Sequence, residues 1–144
     1  MILKGNNQSI EARKFRLLSR NFISFDDINK IANSEGDVKL FLSGPISINA
    51  SRINANFDKI NNNLISANAK GNVKIKTKSE TISSNSAKYD SNTDIISLRG
   101  NVIIKRNRGV LTGEKGYMNL KTRKSKIVSS KSKRVKGIFK PANK

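Results

Sequence analysis

The stretch Tyr89–Leu120, YDSNTDIISLRGNVIIKRNRGVLTGEKGYMNL, decides the fold. It divides into three extended runs, Asp94–Arg99, Asn101–Lys105 and Val110–Leu120. The first two are dense in β-branched residues (Ile95, Ile96, Val102, Ile103, Ile104), whose stiff side chains suit a pleated surface. Turn formers bound them: Ser91-Asn92-Thr93 before, Gly100-Asn101 between, and Arg106-Asn107-Arg108-Gly109 after. No stripe of apolar residues at i, i+3, i+4 and i+7 competes, so the spacing predicts an antiparallel meander that turns at each of these places.

The same cassette recurs. Gly71-Asn72-Val73-Lys74-Ile75 returns as Gly100-Asn101-Val102-Ile103-Ile104, and a looser version stands earlier as Gly36-Asp37-Val38-Lys39-Leu40. Each is followed by a polar turn and another extended run, such as Thr81–Tyr89 or Leu111–Tyr117. A spacing of about thirty residues is that of a repeated hairpin unit, which cannot bury its apolar face alone and must stack on its neighbours.

Outward from this core the period-two pattern continues. Ile46, Ile48 and Ala50 alternate with Ser47, Asn49 and Ser51. After Arg52 the alternation resumes out of phase at Ile53, Ala55 and Phe57, which predicts a bulge. Asn61-Asn62-Asn63 is a turn, Leu64–Ala69 a return strand, and Gly71 the opening of the next, with Val73, Ile75 and Thr77 on one face and Lys74, Lys76 and Lys78 on the other. Ser43-Gly44-Pro45 is a strong breaker. Residues 1–44 are therefore read as extra N-terminal strands, separate or within the same unit, residues 45–141 as the main body and 142–144 as a frayed tail. Within the first part, Ser9–Arg20 fits a strand better than an amphipathic helix, and Phe22–Ala32 fits a hairpin turn or one helical turn equally. The tail reads as a strand over Ser125–Ser130, a turn at Lys131-Ser132-Lys133 and a closing strand over Arg134–Phe139.

At 144 residues with 35% hydrophobic content, the chain is one domain with a thin core. It has no cysteine and no histidine, which excludes disulfide frameworks, zinc fingers, haem ligation and Cys or His catalysis. The formal net charge is +19, from 29 Lys+Arg against 10 Asp+Glu. Lys121–Lys144 carries ten basic residues and no acidic one. Such a field favours polyanions: nucleic acid, anionic lipid or phosphorylated glycolipid. Exposed strand lysines also deter edge-to-edge pairing, an equally good cause of the charge. No apolar run approaches the ~20 residues of a transmembrane helix, and Met1-Ile2-Leu3-Lys4-Gly5 offers no apolar secretory segment.

Catalysis finds no support in the motifs. The few carboxylates, Asp26, Asp27, Asp58, Asp90 and Asp94 among them, sit mostly in turns, where Asp is a turn former. No nucleophile elbow or Ser-Lys signature occurs, and every GNV is followed by strand residues where a phosphate-cradling loop needs a helix. No catalytic residue, metal or cofactor is expected. Single-strand nucleic-acid binding needs aromatic platforms along a basic groove. Six Phe, two Tyr and no Trp supply few, and Phe57, Tyr89 and Tyr117 read as equivalent structural positions of the repeat.

Pro45-Ile46-Ser47-Ile48-Asn49-Ala50-Ser51-Arg52 resembles the opening I-x-I-x-A-D strand of the LptA (OstA-like) lipopolysaccharide-transport family, with Ser51 in place of the usual Asp. The GNV cassettes, Ala87-Lys88-Tyr89-Asp90 before a turn, and the closing stretch Lys133–Pro141 are similar to that family's repeat and terminal strand. The likeness covers Gly44–Pro141, with residues 1–43 outside it. It implies an all-β fold, an antiparallel open β-jellyroll whose two sheets hold a greasy groove, and a periplasmic, non-enzymatic carrier that passes lipopolysaccharide by its lipid A acyl chains between the two membranes. The implied partners are lipopolysaccharide and like-folded LptC-like and outer-membrane LptD-like domains stacked edge to edge, or further copies of the chain end to end. The expected groove residues are Ile48, Ile53, Phe57, Val73, Ile75, Ile82, Tyr89, Ile96, Leu98, Val102, Ile104, Leu111 and Tyr117. Alternatives are the LptC-like or outer-membrane jellyroll of the same pathway, and a basic nucleic-acid-binding β-protein.

Overall fold

The computed structural model describes residues 2–4, 8–12, 15–42, 45–61, 63–128 and 136–139. Twelve strands run through them: β1 (Ile2–Lys4), β2 (Gln8–Ala12), β3 (Phe15–Ser19), β4 (Phe22–Asp26), β5 (Ile31–Leu42), β6 (Ile46–Phe57), β7 (Leu64–Lys76), β8 (Thr81–Asp90), β9 (Ile95–Arg106), β10 (Gly109–Asn119), β11 (Lys124–Val128) and β12 (Lys136–Phe139). No helix occurs among the described residues, and every pairing is antiparallel. From β4 to β11 each strand pairs with the next along the central path of the sheet. The all-β, open jellyroll class read from the sequence is the observed one. Ser9–Arg20 lies mainly in β2 and β3, and Asp26–Lys30 closes the hairpin between β4 and β5.

The six central strands, β5 to β10, are each long enough to belong to two layers. Pairing is interrupted near the middle of every one of them, with a further slip between Asn56 and Phe57 against β7, and at the central interruption of each of the five interfaces the odd-numbered strand carries one residue more than its even neighbour before pairing resumes. Such bulges bend and twist a strand locally. Because they line up from strand to strand, the sheet folds along a crease. The upper layer takes β2, β3, the second halves of β5, β7 and β9, the first halves of β6, β8 and β10, and β12; the lower layer takes β1, β4, the remaining halves and β11. Apolar side chains of both layers point between them.

The crease corrects one expectation. Gly100-Asn101 is not a hairpin turn but the bulge of a continuous β9, and Gly71-Asn72 likewise lies inside β7 instead of opening a new strand. Arg99 pairs with Ser86 on one side and Lys115 on the other, and Val102 pairs with Gly113, so the flanks of the cassette are held by neighbouring strands and not by each other. Each cassette places two successive residues at positive φ: Gly36 and Asp37 at 87° and 49°, Gly71 and Asn72 at 84° and 48°, Gly100 and Asn101 at 82° and 47°. Glycine takes that region freely and short Asx side chains tolerate it. Hydroxyls near the crease bond main-chain carbonyls: Ser34 Oγ donates to Ile53 O at 2.9 Å, Ser84 Oγ to Ser86 O at 3.0 Å, and Ser19 Oγ to Glu35 O.

Of the boundary elements, β5 and β6 flank the Ser43-Gly44-Pro45 breaker and pair along most of their length, from Ile31 opposite Asn56 to Leu42 opposite Ile46. In the tail, β11 pairs with the second half of β10 and β12 with the first half. The Lys131-Ser132-Lys133 turn and the 142–144 tail lie outside the described residues.

Candidate functional site

One side chain per strand builds the ceiling of the interior. Leu17 of β3 stands opposite Leu40, Leu40 opposite Ile48, Ile48 opposite Ile75, Ile75 opposite Ile82, Ile82 opposite Ile104, and Ile104 opposite Leu111. This is a continuous aliphatic ladder across seven strands, and six of its seven members are buried, with Leu111 packed on them. Cross-strand contact of branched residues is the unit of sheet stabilisation. A second row nearer the crease runs through Val38, Ala50, Val73, Ser84 and Val102.

The floor mixes small groups with large ones, Ile23, Ile53, Phe57, Ile96, Leu98 and Met118 among the latter. Ala32, Ala55 and Ala67 stand in one cross-strand row, and Ala69 and Ala87 in the next. Small residues below branched ones let the layers approach closely. Val38, Leu40, Ile53, Ile75, Ile82, Ile96, Val102 and Ile104 have no exposed surface at all, so none borders a water-sized space. The groove expected to stand open is filled by its own side chains along the centre, where these eight residues are completely covered.

Twelve of the thirteen expected groove residues face this interior. Ile48, Ile53, Phe57, Val73, Ile75, Ile82, Ile96, Leu98, Val102 and Ile104 are buried core, and Tyr89 and Leu111 are partly buried against it. Tyr117 is the exception. The pairing slips between Gly113 and Lys115, so Gly116 and Met118 point inward and Tyr117 lies on the outer face beside exposed Ser97 and Lys126. Its equivalence to Phe57 and Tyr89 fails because the bulge shifts the alternation by one residue. Sequence reading missed Leu17, Leu40, Ile46 and Met118, all buried. Val38-Lys39-Leu40 carried the cassette signal that could have included Leu40.

Space opens along the edge opposite the crease, where the hairpin tips of the two layers meet. Near β3 the rings of Phe15, from the upper layer, and Phe57, from the lower, stack with centroids 5.0 Å apart. Beside them a pocket of about 400 Å³ is lined by Phe15, Leu42 and Ile46 above, and Leu64, Tyr89 and Leu120 below. Asn63, Ser91, Asp94 and Arg123 stand among them. The Tyr89 hydroxyl donates to Asp94 Oδ1 at 3.2 Å. Burial first, then the Asp94 charge and this bond to its carboxylate, push the phenol up to about 12.

A second pocket, of about 950 Å³, reaches from this edge round to the outer face, bordered by Glu80, Arg106, Arg108, Tyr117, Arg123, Lys124 and Lys126. Glu80, on the turn between β7 and β8, is only 8% exposed. Its carboxylate receives Arg106 Nε from the end of β9 and the Ser125 hydroxyl of β11 at 2.6 Å. Arg106 also donates to the Ser125 carbonyl. Glu80 and Arg106 belong to the upper layer and Ser125 to the lower, so the cluster is a polar clasp between the two lips. The mouth is thus held by stacked rings at one end and a charged clasp at the other.

A solved structure shares the fold. The crystal structure of LptH from Pseudomonas aeruginosa, described as the LptA-homologous periplasmic component of the lipopolysaccharide transport device, superposes with a TM-score of 0.76. The match covers 90% of this chain and 96% of that one at 14% identity, a likeness of fold. No curated protein matches the sequence significantly. A family model described as LptA/(LptD N-terminal domain) LPS transport protein matches residues 19–124, reaching back across the Ser43-Gly44-Pro45 breaker. Since that match spans well over half of the residues, the chain belongs to the LptA/(LptD N-terminal domain) lipopolysaccharide transport family, a family of transport proteins and not of enzymes.

Proposed function

We propose that this protein is a periplasmic carrier that takes the lipid A acyl chains of lipopolysaccharide between its two layers and hands them along a bridge between inner- and outer-membrane complexes. The observation that carries the reading is the ladder from Leu17 to Leu111, an unbroken aliphatic surface that meets solvent at the mouth lined by Phe15, Leu42, Ile46, Leu64, Tyr89 and Leu120. The LptH likeness and the family membership support the pathway and the compartment. Because the centre is packed, acyl chains enter as the lips part about the crease. Side chains uncovered as the lips part are covered again by the entering acyl chain, each of whose buried methylenes contributes roughly 0.8 kcal/mol.

The same mode of assembly suits the edges. β2 and β12 flank the upper layer and β1 and β11 the lower; among the described residues no strand pairs with their outer edges, which can extend the sheet into a like-folded domain, LptC-like or LptD-like, or a second copy. The family description also covers the N-terminal domain of the outer-membrane component, so this chain serves as the stand-alone jellyroll or as that domain.

Photocrosslinking tests the reading. A diazirine side chain introduced at Val73 or Val102, both buried between the layers, should yield adducts with lipopolysaccharide on irradiation. Adducts arising only from outward-facing Lys74 or Lys105 would overturn it.

A further inference from the structure

The outer face of the lower layer carries charge that the interior does not use. Across β7 to β11, two neighbouring rows of outward side chains run perpendicular to the strands. One passes from Asn68 through Lys88, Ser97 and Tyr117 to Lys126, the other from Lys70 through Ser86 and Arg99 to Lys115. Every lysine and arginine in them is exposed, and none has an ion-pair partner among the described residues. Lys70, Lys88, Arg99 and Lys115 border a depression of about 560 Å³, lined also by Ser86, Ser97 and Tyr117. No carboxylate lines it: Asp90, two residues beyond Lys88, and Glu114, in the bulge beside Lys115, both lie outside. Past Lys70 the second row continues to Arg52 and then Glu35, where the positive run ends.

Within this face Arg99 and Lys115 stand directly opposite each other. Like charges in that relation destabilise a sheet. The upper layer avoids it: outward Lys74 stands between Asn49 and Ser83, and Lys76 between Ser47 and Thr81. One layer thus dilutes its cations with neutral neighbours while the other concentrates them, with a loss of stability that an anionic surface would relieve. We infer that the outer face of the lower layer is a docking surface for an anionic lipid bilayer. The inference goes beyond the carrier reading, since it concerns a face turned away from the interior and needs no lipopolysaccharide. Five strands at about 4.8 Å make the patch roughly 20 Å wide, and each Lys or Arg held near an anionic leaflet strengthens binding about five-fold. Flexible lysine stems reach head groups without a fixed geometry. Tyrosine suits the head-group level, with an apolar ring and a wet hydroxyl. Single-stranded nucleic acid instead draws affinity from successive aromatic platforms, and the two rows supply Tyr117 alone. A second copy of this chain, with 10 Asp+Glu against 29 Lys+Arg, has little acidic surface to offer in return.

The test uses the whole chain and vesicles free of lipopolysaccharide, made of phosphatidylcholine alone or of phosphatidylcholine and phosphatidylglycerol in equal parts. Co-sedimentation should show binding to the mixed vesicles only. Arg99→Thr with Lys115→Thr should weaken it about ten-fold or more. Lys74→Thr with Lys76→Thr removes the same charge from the upper layer and should change it less than about two-fold. The first pair should also melt above the parent, because the opposed charges are gone. Where it melts lower instead, Lys70→Thr with Lys88→Thr serves, since it removes two cations from the other side of the depression and should weaken binding equally. Equal losses from lower and upper pairs overturn the docking face, because the whole field would then be responsible. So does binding of the same strength to phosphatidylcholine alone. Tighter binding to an oligothymidylate than to mixed vesicles, lost in the lower pair, would give the face to nucleic acid and overturn the bilayer.

Discussion

Gly71 faces Ser51 across the crease so closely that a Cβ on the glycine would lie 2.8 Å from the serine Oγ. Gly100 stands in the same relation to Asn85, and Gly36 to Asn21. The glycine cassette therefore meets two demands at once, a left-handed backbone and close approach of the neighbouring strand. Ser51, which replaces the aspartate of the resembled motif, is the side chain that fills the space above Gly71.

Gly71→Ala should destabilise the protein by roughly 2–4 kcal/mol, of which about 1–2 kcal/mol is left-handed strain and the rest displacement of Ser51. Asn72→Gly, at the next position, should be neutral or slightly stabilising, because it relieves strain at φ 48° without adding atoms. Urea unfolding of the two variants distinguishes a bulge that needs both features from a flexible turn, which would tolerate both changes alike.

The ladder can be tested against the outer face. Ile82 is fully buried at the middle of the ladder, so Ile82→Ala should cost about 2–5 kcal/mol. Tyr117→Ala, on the outer face, should cost less than about 1 kcal/mol. Equal losses in chemical denaturation would show that Tyr117 is core after all.

The clasp should matter to stability. Arg106→Ala leaves Glu80 in a nearly buried site without its cation, and because the guanidinium itself is 40% exposed the loss should be about 1–3 kcal/mol. Glu80→Gln keeps an acceptor for Ser125 and should cost less. If Arg106→Ala melts at the wild-type temperature, the cluster does not join the lips.

Tyr89 sets a pH dependence at the alkaline end. Its phenol ionises near 10 in the unfolded chain and only near 12 in the folded one, so the folded state binds the extra proton. The stability this contributes is complete below pH 10 and is lost as pH rises towards 12. Tyr89→Phe should remove that part of the decline, visible as a shallower fall of the melting temperature between pH 9.5 and 11.5 than in the parent. Identical slopes would mean the phenol is not held by its surroundings.

Local chemistry alone established much of the architecture. Alternation along Ile46–Phe57, with its slip after Ala50, was legible because period two and its interruption are properties of a few neighbouring residues; so were the turns at Ser91–Asp94 and Asn107–Arg108. Whether Gly100-Asn101 turned the chain or merely bent it was not legible, since both outcomes ask for positive φ from the same residues, and only pairing of Arg99 and Val102 with strands on either side decides. The inward set of twelve residues could be read from the pattern, but the face of Tyr117 could not, because one unpaired residue upstream in β10 inverts the alternation. The closed interior depends on side chains of both layers packing into one core. The mouth depends on Glu80 and Ser125 meeting across 45 residues of chain. Contacts of that range are fixed by where the crease folds the sheet, a geometric fact that no single stretch of sequence contains.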